Sequence, residues 1–357
     1  MKKLLALVLA GMMAFSLTAC GDGGSSSSEG SASDGSSAAG GEDKAVTIGV
    51  TIYKYDDNFM SYVRNDMDKI VAEMDGKVTL SMNDSQNNQS TQNDQVDTMI
   101  GSNVDALAIN LVDPQAAAVV QKKAQDAEIP IVFFNKEPDL ATMQEYDKSF
   151  YVGTTSSESG VEQGNVVVDY LKADADKKWD KNGDGKIQYL MMKGEPGHPD
   201  AEARTEYSVK TIKDAGYEME LLAPEDTAMW DTAKAKELMD NWYAQYGDKI
   251  ELVLCNNDGM ALGVVSSLTA NKVNGKVMVA GVDALPEVMD YIESGDMIGT
   301  VLNDDQNQAQ AVIDLAVNLA RGNDPLAGTS WKFDETGKSV RVPYKAVTKE
   351  NYKEFVK

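Results

Sequence analysis

Three polar side chains lie close together in the segment 193–204, which reads KGEPGHPDAEAR. His198 can donate or accept a hydrogen bond, Asp200 accepts one, and Arg204 carries a rigid fork of donors. The residues after Pro199 favour a helix, and Asp200 and Arg204 are four apart, so both would lie on one face near its start. Such a cluster suits a ligand rich in hydroxyl groups. The plain alternative is a solvated loop with an ion pair.

Other polar residues directly follow apolar runs that predict buried strands. These runs are VTIGVTI (46–52), PIVFF (130–134), IELVLC (250–255), KVMVAGV (276–282) and IGTVL (298–302), and IQYLMM (187–192) precedes the cluster above. After them come Asp57 with Phe59, Asn135, Asn257, Asp283 and Asn303. Any one of these could be an ordinary turn residue or helix cap. Ligands of open α/β sheets bind beyond the carboxyl ends of the strands, so the shared position predicts a binding site.

The strands alternate with stretches of helical periodicity, which indicates a doubly wound, parallel α/β sheet. After a strand at 150–153 the alternation begins again with a second set of strands. The sequence therefore predicts two α/β lobes in one chain.

The N-terminal residues predict export and anchoring. Two lysines, an apolar run from Leu4 to Leu17 and the sequence LTAC ending at Cys20 form a signal peptide over 1–20 with a bacterial lipobox, and Cys20 is the expected lipidated residue. Residues 21–43 are mostly Gly, Ser, Ala and acidic residues, typical of a flexible tether. Anchoring to the membrane is expected through the lipid only.

Composition limits both the possible partners and the covalent cross-links of the chain. The formal net charge of −24 argues against nucleic-acid binding. Apart from Cys20 the chain has only Cys255, inside an apolar run, so no disulfide framework exists.

The cluster of Asn and Asp with one Arg and one His suits a pyranose, whose hydroxyls donate to carboxylates and accept from amides and guanidinium groups. Phe59 and Trp230 are candidates to pack against the C–H faces of the ring. An enzyme is not expected, since the chain has one histidine and lacks a P-loop or a nucleophile elbow. The enzyme alternative is a glycosidase using Asp200 with Asp283. Nothing in the sequence indicates a carboxyl group with a raised pKa.

A second signal lies at residues 180–188, which read DKNGDGKIQ and match the start of an EF-hand calcium loop. The candidate ligands are the side chains of Asp180, Asn182, Asp184 and Gln188 and the backbone carbonyl of Lys186. Met191 stands where the loop needs a bidentate Glu, so that carboxylate must come from elsewhere or there is no site. The alternative is a solvated turn.

From Ile48 to the C terminus the chain resembles the periplasmic binding proteins for galactose and glucose. The motifs that carry the resemblance are GVTIYKYDDNFMS, LAINLVDP, VFFNKEP, KGEPGHPDAEART, DTAMWDTA, GVDALPE, GTVLND and VRVPY. By this resemblance, the polar ligands of the sugar are Asp57, Asn135, His198, Asp200, Arg204, Asn257, Asp283 and Asn303, with Phe59 and Trp230 as the stacking pair. It also assigns the missing calcium ligand to Glu251.

The resemblance implies the type I periplasmic-binding-protein fold, with two lobes joined by a three-strand hinge. The expected first lobe is 44–154 plus 304–340, and the second is 155–303 plus 341–357. The expected function is to capture galactose or glucose and deliver it to an ABC transporter permease, and in some bacteria to a chemoreceptor. We expect a lipid-anchored monomer on the outer face of the cytoplasmic membrane, periplasmic if the cell has an outer membrane. Ribose or xylose is the alternative ligand on the same scaffold.

Overall fold

The computed structural model of the protein describes residues 45–356. The predicted signal peptide, Cys20 and the tether lie outside these described residues.

The described strands and helices alternate along most of the chain. The strands are β1 (Val46–Ile52), β2 (Val78–Asp84), β3 (Ala106–Ile109), β4 (Ile131–Phe134), β5 (Ser149–Gly153), β6 (Lys186–Lys193), β7 (Glu218–Leu221), β8 (Asp226–Thr227), β9 (Leu252–Cys255), β10 (Met278–Ala280), β11 (Gly299–Leu302), β12 (Ser339–Arg341) and β13 (Lys345–Thr348). The helices are α1 (Asn58–Ala72), α2 (Gln89–Gly101), α3 (Ala117–Asp126), α4 (Leu140–Gln144), α5 (Ser156–Ala173), α6 (Pro199–Asp214), α7 (Thr232–Tyr246), α8 (Asp258–Ala270), α9 (Met289–Ser294) and α10 (Asp305–Ala320).

Two separate sheets form, one in each lobe. The first has the strand order β12-β5-β4-β3-β1-β2, and the second has the order β13-β11-β10-β9-β6-β7, with β8 also paired to β6. All neighbours in the first sheet are parallel. In the second sheet β13 runs antiparallel to β11, while the other pairs are parallel. The predicted two-lobed α/β fold is confirmed, with one antiparallel edge strand that the sequence did not predict.

Both faces of each sheet are covered by helices, which explains why the strands read as continuous apolar runs. In β6, Leu190 and Met192 face one apolar core with α7 and α8. Tyr189 and Met191 point the opposite way into a second core that includes Val166 of α5. The alternation is the two-residue period of a strand, and it places helices on both sides of the sheet.

The chain passes between the two sheets three times: between β5 and β6, between β11 and β12, and between β12 and β13. Helix α5 packs on the second sheet and α10 on the first. The third passage is fixed by two hydrogen bonds, from Val342 N to Gly153 O at 2.7 Å and from Thr154 Oγ1 to Tyr344 Oη at 2.9 Å. The exact residues at which each lobe begins and ends stay a prediction.

Over residues 45–356, no helix has both the length and the apolar character needed to cross a bilayer.

Candidate functional site

A single cavity between the lobes collects the polar residues that follow the strands. Protein atoms leave about 330 Å³ unfilled at this cavity, a volume that includes space open to solvent. The ten residues predicted to bind a sugar all line it, namely Asp57, Phe59, Asn135, His198, Asp200, Arg204, Trp230, Asn257, Asp283 and Asn303. Tyr53 and Met60 line it as well. Sequence reasoning missed Tyr53, although it directly follows β1 and the strand-end rule would have included it.

Several cavity side chains also begin helices. Asp57 accepts a hydrogen bond from Met60 N at 2.8 Å and caps α1, and Asn257 accepts one from Met260 N at 2.9 Å and caps α8. An N-cap holds one side-chain oxygen against the backbone and satisfies a donor that the helix leaves free. Both side chains are thereby fixed in position, and two helix N-termini, with their partial positive charge, lie at the cavity.

His198 caps α6 through its ring. Its Nδ1 accepts a hydrogen bond from Asp200 N at 3.1 Å, so Nε2 carries the proton of the neutral imidazole. Burial lowers the pKa of His198 to about 3, against the opposing effect of Asp200. The ring meets Trp230 edge to face, with centroids 5.2 Å apart. His198 is therefore a neutral, oriented hydrogen-bond donor.

Arg204 is 3% exposed and donates three hydrogen bonds to neighbouring residues. Its guanidinium donates to Ser159 Oγ at 3.2 Å, to Asn256 O at 2.8 Å and to Tyr344 Oη at 3.1 Å. The carboxylates of Asp200 and Asp283 lie 3.5 and 3.7 Å away. Burial alone would lower the pKa of Arg204, but Tyr344 and these two carboxylates raise it above its ordinary value. The result is a fixed cation between two anionic acceptors.

Asp283 sits on a strained turn after β10, with φ of +123° at Asp283 and +55° at Ala284. Buried Asp258 holds this turn, since its carboxylate accepts hydrogen bonds from Leu285 N at 2.9 Å and from Thr300 Oγ1 at 2.7 Å. Asn303 Nδ2 donates to Asp283 Oδ1 at 3.1 Å. The turn therefore aims one carboxylate oxygen at the cavity with little freedom.

Two buried carboxyl groups have a raised pKa that the sequence did not indicate. Burial raises the pKa of Asp283 well above its usual range despite the opposing charge of Arg204, and burial raises the pKa of Asp258 to about 7. The sequence could not indicate this, because burial depends on how the lobes meet.

The first lobe positions its polar groups through Tyr53 and Asn110. Tyr53 Oη donates to Asp57 Oδ2 at 2.6 Å. Asn110 accepts from Tyr53 N at 3.0 Å and donates to Asn135 Oδ1 at 3.1 Å. Asn135 has a φ of +62°, a left-handed conformation that Asn adopts more readily than most residues. These bonds fix the acceptors of the first lobe before any ligand is present.

Two aromatic rings complete the lining, Phe59 from the first lobe and Trp230 from the second. They are 6% and 9% exposed. Gly194 gives the indole its place, since a Cβ there would lie 2.3 Å from Trp230 Cη2. Apolar faces and polar side chains thus surround the same space.

The backbone of the loop at 180–188 turns back towards its first residue. Asp180 accepts hydrogen bonds from the backbone N–H groups of Gly183, Asp184 and Gly185 at 2.8, 3.1 and 3.0 Å. Gly183 and Gly185 have φ of +75° and +80°, which only glycine adopts at low cost. The loop backbone is therefore folded around the Asp180 carboxylate.

Glu251, the ligand assigned by resemblance, reaches this loop. Its carboxylate accepts from Lys181 N at 2.6 Å and from Gln188 N at 3.0 Å. The amide nitrogens of Asn182 and Gln188 donate to Asp184 Oδ2 at 3.0 and 2.9 Å, so both amides would have to rotate to offer oxygen to a cation. The candidate ligand atoms are all oxygens, which is the type of ligand that calcium prefers. Across residues 45–356, however, no three His, Cys, Asp or Glu side chains are arranged to hold a metal ion.

Two hinged α/β lobes whose polar and aromatic side chains meet in one interlobe cavity define a solute-binding protein. A family model described as "Periplasmic binding protein domain" matches residues 48–324. The chain belongs to this family, and it is a binding protein and not an enzyme, as the sequence predicted.

Relatives and solved structures cover most of the chain. The D-galactose/methyl-galactoside binding periplasmic protein MglB of Haemophilus influenzae is 49% identical over 312 residues, covering 87% of this chain and 92% of the relative. The D-xylose-binding periplasmic protein of Escherichia coli is 25% identical, covering 80% and 82%. An ABC transporter solute-binding protein of Bacillus halodurans, solved with myo-inositol, has a TM-score of 0.73 and 29% identity, covering 88% of this chain and 99% of that one.

Proposed function

We propose that this chain captures D-galactose or D-glucose in the interlobe cavity and delivers it to an ABC importer. The observation that carries the proposal is the convergence of ten predicted side chains from both lobes on one cavity. The 49% identity to a galactose-binding relative supports a hexose over a pentose.

The geometry of the cavity suits a pyranose. Sugar hydroxyls would donate to the carboxylates of Asp57, Asp200 and Asp283 and accept from Arg204 and His198. Hydrogen bonds to charged groups in such a buried network are stronger than those in water. The flat C–H faces of the ring would pack against Phe59 and Trp230.

Affinity would come from closure of the lobes. Because both lobes supply ligands, a sugar makes its full set of contacts only when the lobes are together, and it shifts the population to that form. The permease would then recognise the closed form. Anchoring through Cys20 and the 21–43 tether would keep the protein beside that permease. Delivery to a chemoreceptor rests on the family resemblance alone.

We further propose that calcium stabilises the second lobe at the 180–188 loop. Side-chain oxygens of Asp180, Asn182, Asp184, Gln188 and Glu251 and the carbonyl of Lys186 would hold it. The ion would supply charge compensation for three carboxylates. It would stabilise the protein by binding only the folded form, and no contact to the sugar is required of it.

The test of the sugar proposal is a panel of monosaccharides measured by thermal shift and calorimetry. We expect galactose and glucose to raise Tm and to bind with a Kd in or below the micromolar range. Ribose, xylose and myo-inositol are the comparison arms. Tighter binding of any of these three would replace the hexose assignment, and no response to any sugar would reject the function.

A further inference from the structure

We propose that an ion pair between Lys136 and Glu195 joins the two lobes and sets the affinity for sugar without contacting it. This inference rests on the proposed function. Neither residue is among the side chains that line the cavity. A description of the cavity lining would therefore leave both residues out.

The pair connects residues of different lobes. Lys136 follows β4 of the first sheet, and Glu195 lies between β6 of the second sheet and α6. Lys136 Nζ lies 2.9 Å from Glu195 Oε2, and the two side chains are 1% and 22% exposed. The same ammonium donates to Val112 O at 2.9 Å and lies 4.2 Å from the centroid of the Tyr53 ring. The cation is thus enclosed by the first lobe on two sides and neutralised by the second.

Each partner is held in a tight turn beside a cavity residue. Lys136 N donates to Phe134 O at 2.8 Å, which constrains the turn that carries Asn135. His198 N donates to Glu195 O at 3.2 Å, which ties Glu195 to the start of α6. Forming the ion pair therefore draws together the two segments that present Asn135 and His198.

The ion pair favours the closed form specifically, because its members lie on different lobes. Separating the lobes removes the carboxylate but leaves Val112 and Tyr53 beside the ammonium. In the closed form burial lowers the pKa of Lys136, and Glu195 acts in the opposite direction by stabilising its charge. If the lobes closed without the Glu195 charge, the buried Lys136 ammonium would lose its paired carboxylate and keep only the weaker effects of Asp57 and Asp113, which is costly.

The experiment compares sugar binding by the full-length protein and by Glu195→Gln. We expect affinity for galactose or glucose to fall by about tenfold, with the loss in the dissociation rate and little change in the association rate. Small-angle scattering should show that sugar-free Glu195→Gln is less compact than the sugar-free wild type, and saturating sugar should restore its compaction. A residue that only stabilised the fold would lower Tm without this split between rates.

Two controls separate the pair from general effects. Asp97→Asn removes an exposed ion pair with Lys123 inside the first lobe and should leave affinity unchanged. Tyr62→Phe removes an interlobe hydrogen bond to Glu287 of 2.8 Å at the exposed surface and should lower sugar affinity less than Glu195→Gln does.

A double variant tests whether the pair acts as a unit. Lys136→Met combined with Glu195→Gln should lose no more affinity than the more affected of the two single variants.

Equal affinity of Glu195→Gln and the wild type would overturn the ion-pair proposal while leaving the sugar function intact. A loss confined to the association rate would overturn it as well. Failure of the wild type to bind any monosaccharide would instead reject the proposed function.

Discussion

Many cavity side chains serve the fold and the site together. Asp57, His198 and Asn257 each cap a helix, and Arg204 is tied to three neighbours before a ligand arrives. Side chains fixed in this way lose little freedom on binding, which favours affinity. The same coupling means that substitutions here combine effects on stability with effects on binding.

Asp283→Ala should nearly abolish sugar binding. The carboxylate is oriented by a strained turn and is expected to accept hydrogen bonds from sugar hydroxyls, each worth roughly 10-fold to 100-fold in affinity. Calorimetry with galactose and glucose measures the loss. Asp290→Ala, at an exposed position in α9, is the matched control and should bind normally. Unchanged affinity in Asp283→Ala would remove Asp283 from the site.

His198 should make stability depend on pH below neutrality. Its pKa is lowered to about 3 in the folded protein, whereas an unfolded His titrates near 6.5. Between these values the unfolded state binds more protons, so the free energy of unfolding falls as pH is lowered from about 6.5 towards 3, by up to about 1.4 kcal/mol per pH unit. Urea unfolding at pH 7 and 4.5 should show a shallower fall in His198→Asn. Parallel pH dependences in both proteins would contradict a buried neutral imidazole.

At the scale of elements, the strand ends were predictable and the contacts between segments were not. A buried parallel strand reads as a continuous apolar run, so its end and the polar residue after it are visible in the sequence. Strands β12 and β13, on either side of the third passage between the sheets, have three and four residues and are too short for a periodic signal. The Lys136–Glu195 pair and the role of Asp258 depend on pairing of distant segments, which local pattern does not encode.

If calcium binds at the 180–188 loop as proposed, the stability of the protein should depend on calcium. At a calcium concentration of about 100 times Kd the bound ion would add ~2.7 kcal/mol, so chelation should lower Tm by roughly 5 °C or more. Thermal unfolding with and without EGTA measures this, and magnesium should not restore the loss. Glu251→Gln should be less stable and insensitive to the chelator. If EGTA leaves the wild-type Tm unchanged, the calcium proposal fails.

At the scale of the two lobes, the proposed closure requires them to meet closely around the ligand. Gly259, in the first turn of α8, shows how close this approach is. A Cβ at this position would lie 2.9 Å from Nδ2 of Asn58, which belongs to α1 of the other lobe. Within its own lobe it would lie 3.3 Å from Nδ2 of Asn257 and 3.4 Å from Trp230 O. The Asn58 amide could move aside for a methyl group, but a branched side chain needs room that the closed form lacks.

Gly259→Val should therefore hold the lobes apart. We expect sugar to bind weakly and small-angle scattering to show no compaction at sugar concentrations that close the wild type. Asn58→Ala in the Gly259→Val background removes the opposing amide and should restore part of both responses, which a simple loss of folding would not allow. Gly101→Val is the control, because a Cβ added at Gly101 would have no atom within 4 Å apart from its chain neighbours and the backbone of its own helix. Normal affinity and compaction in Gly259→Val would mean that binding does not require the lobe contact on which the closure mechanism rests.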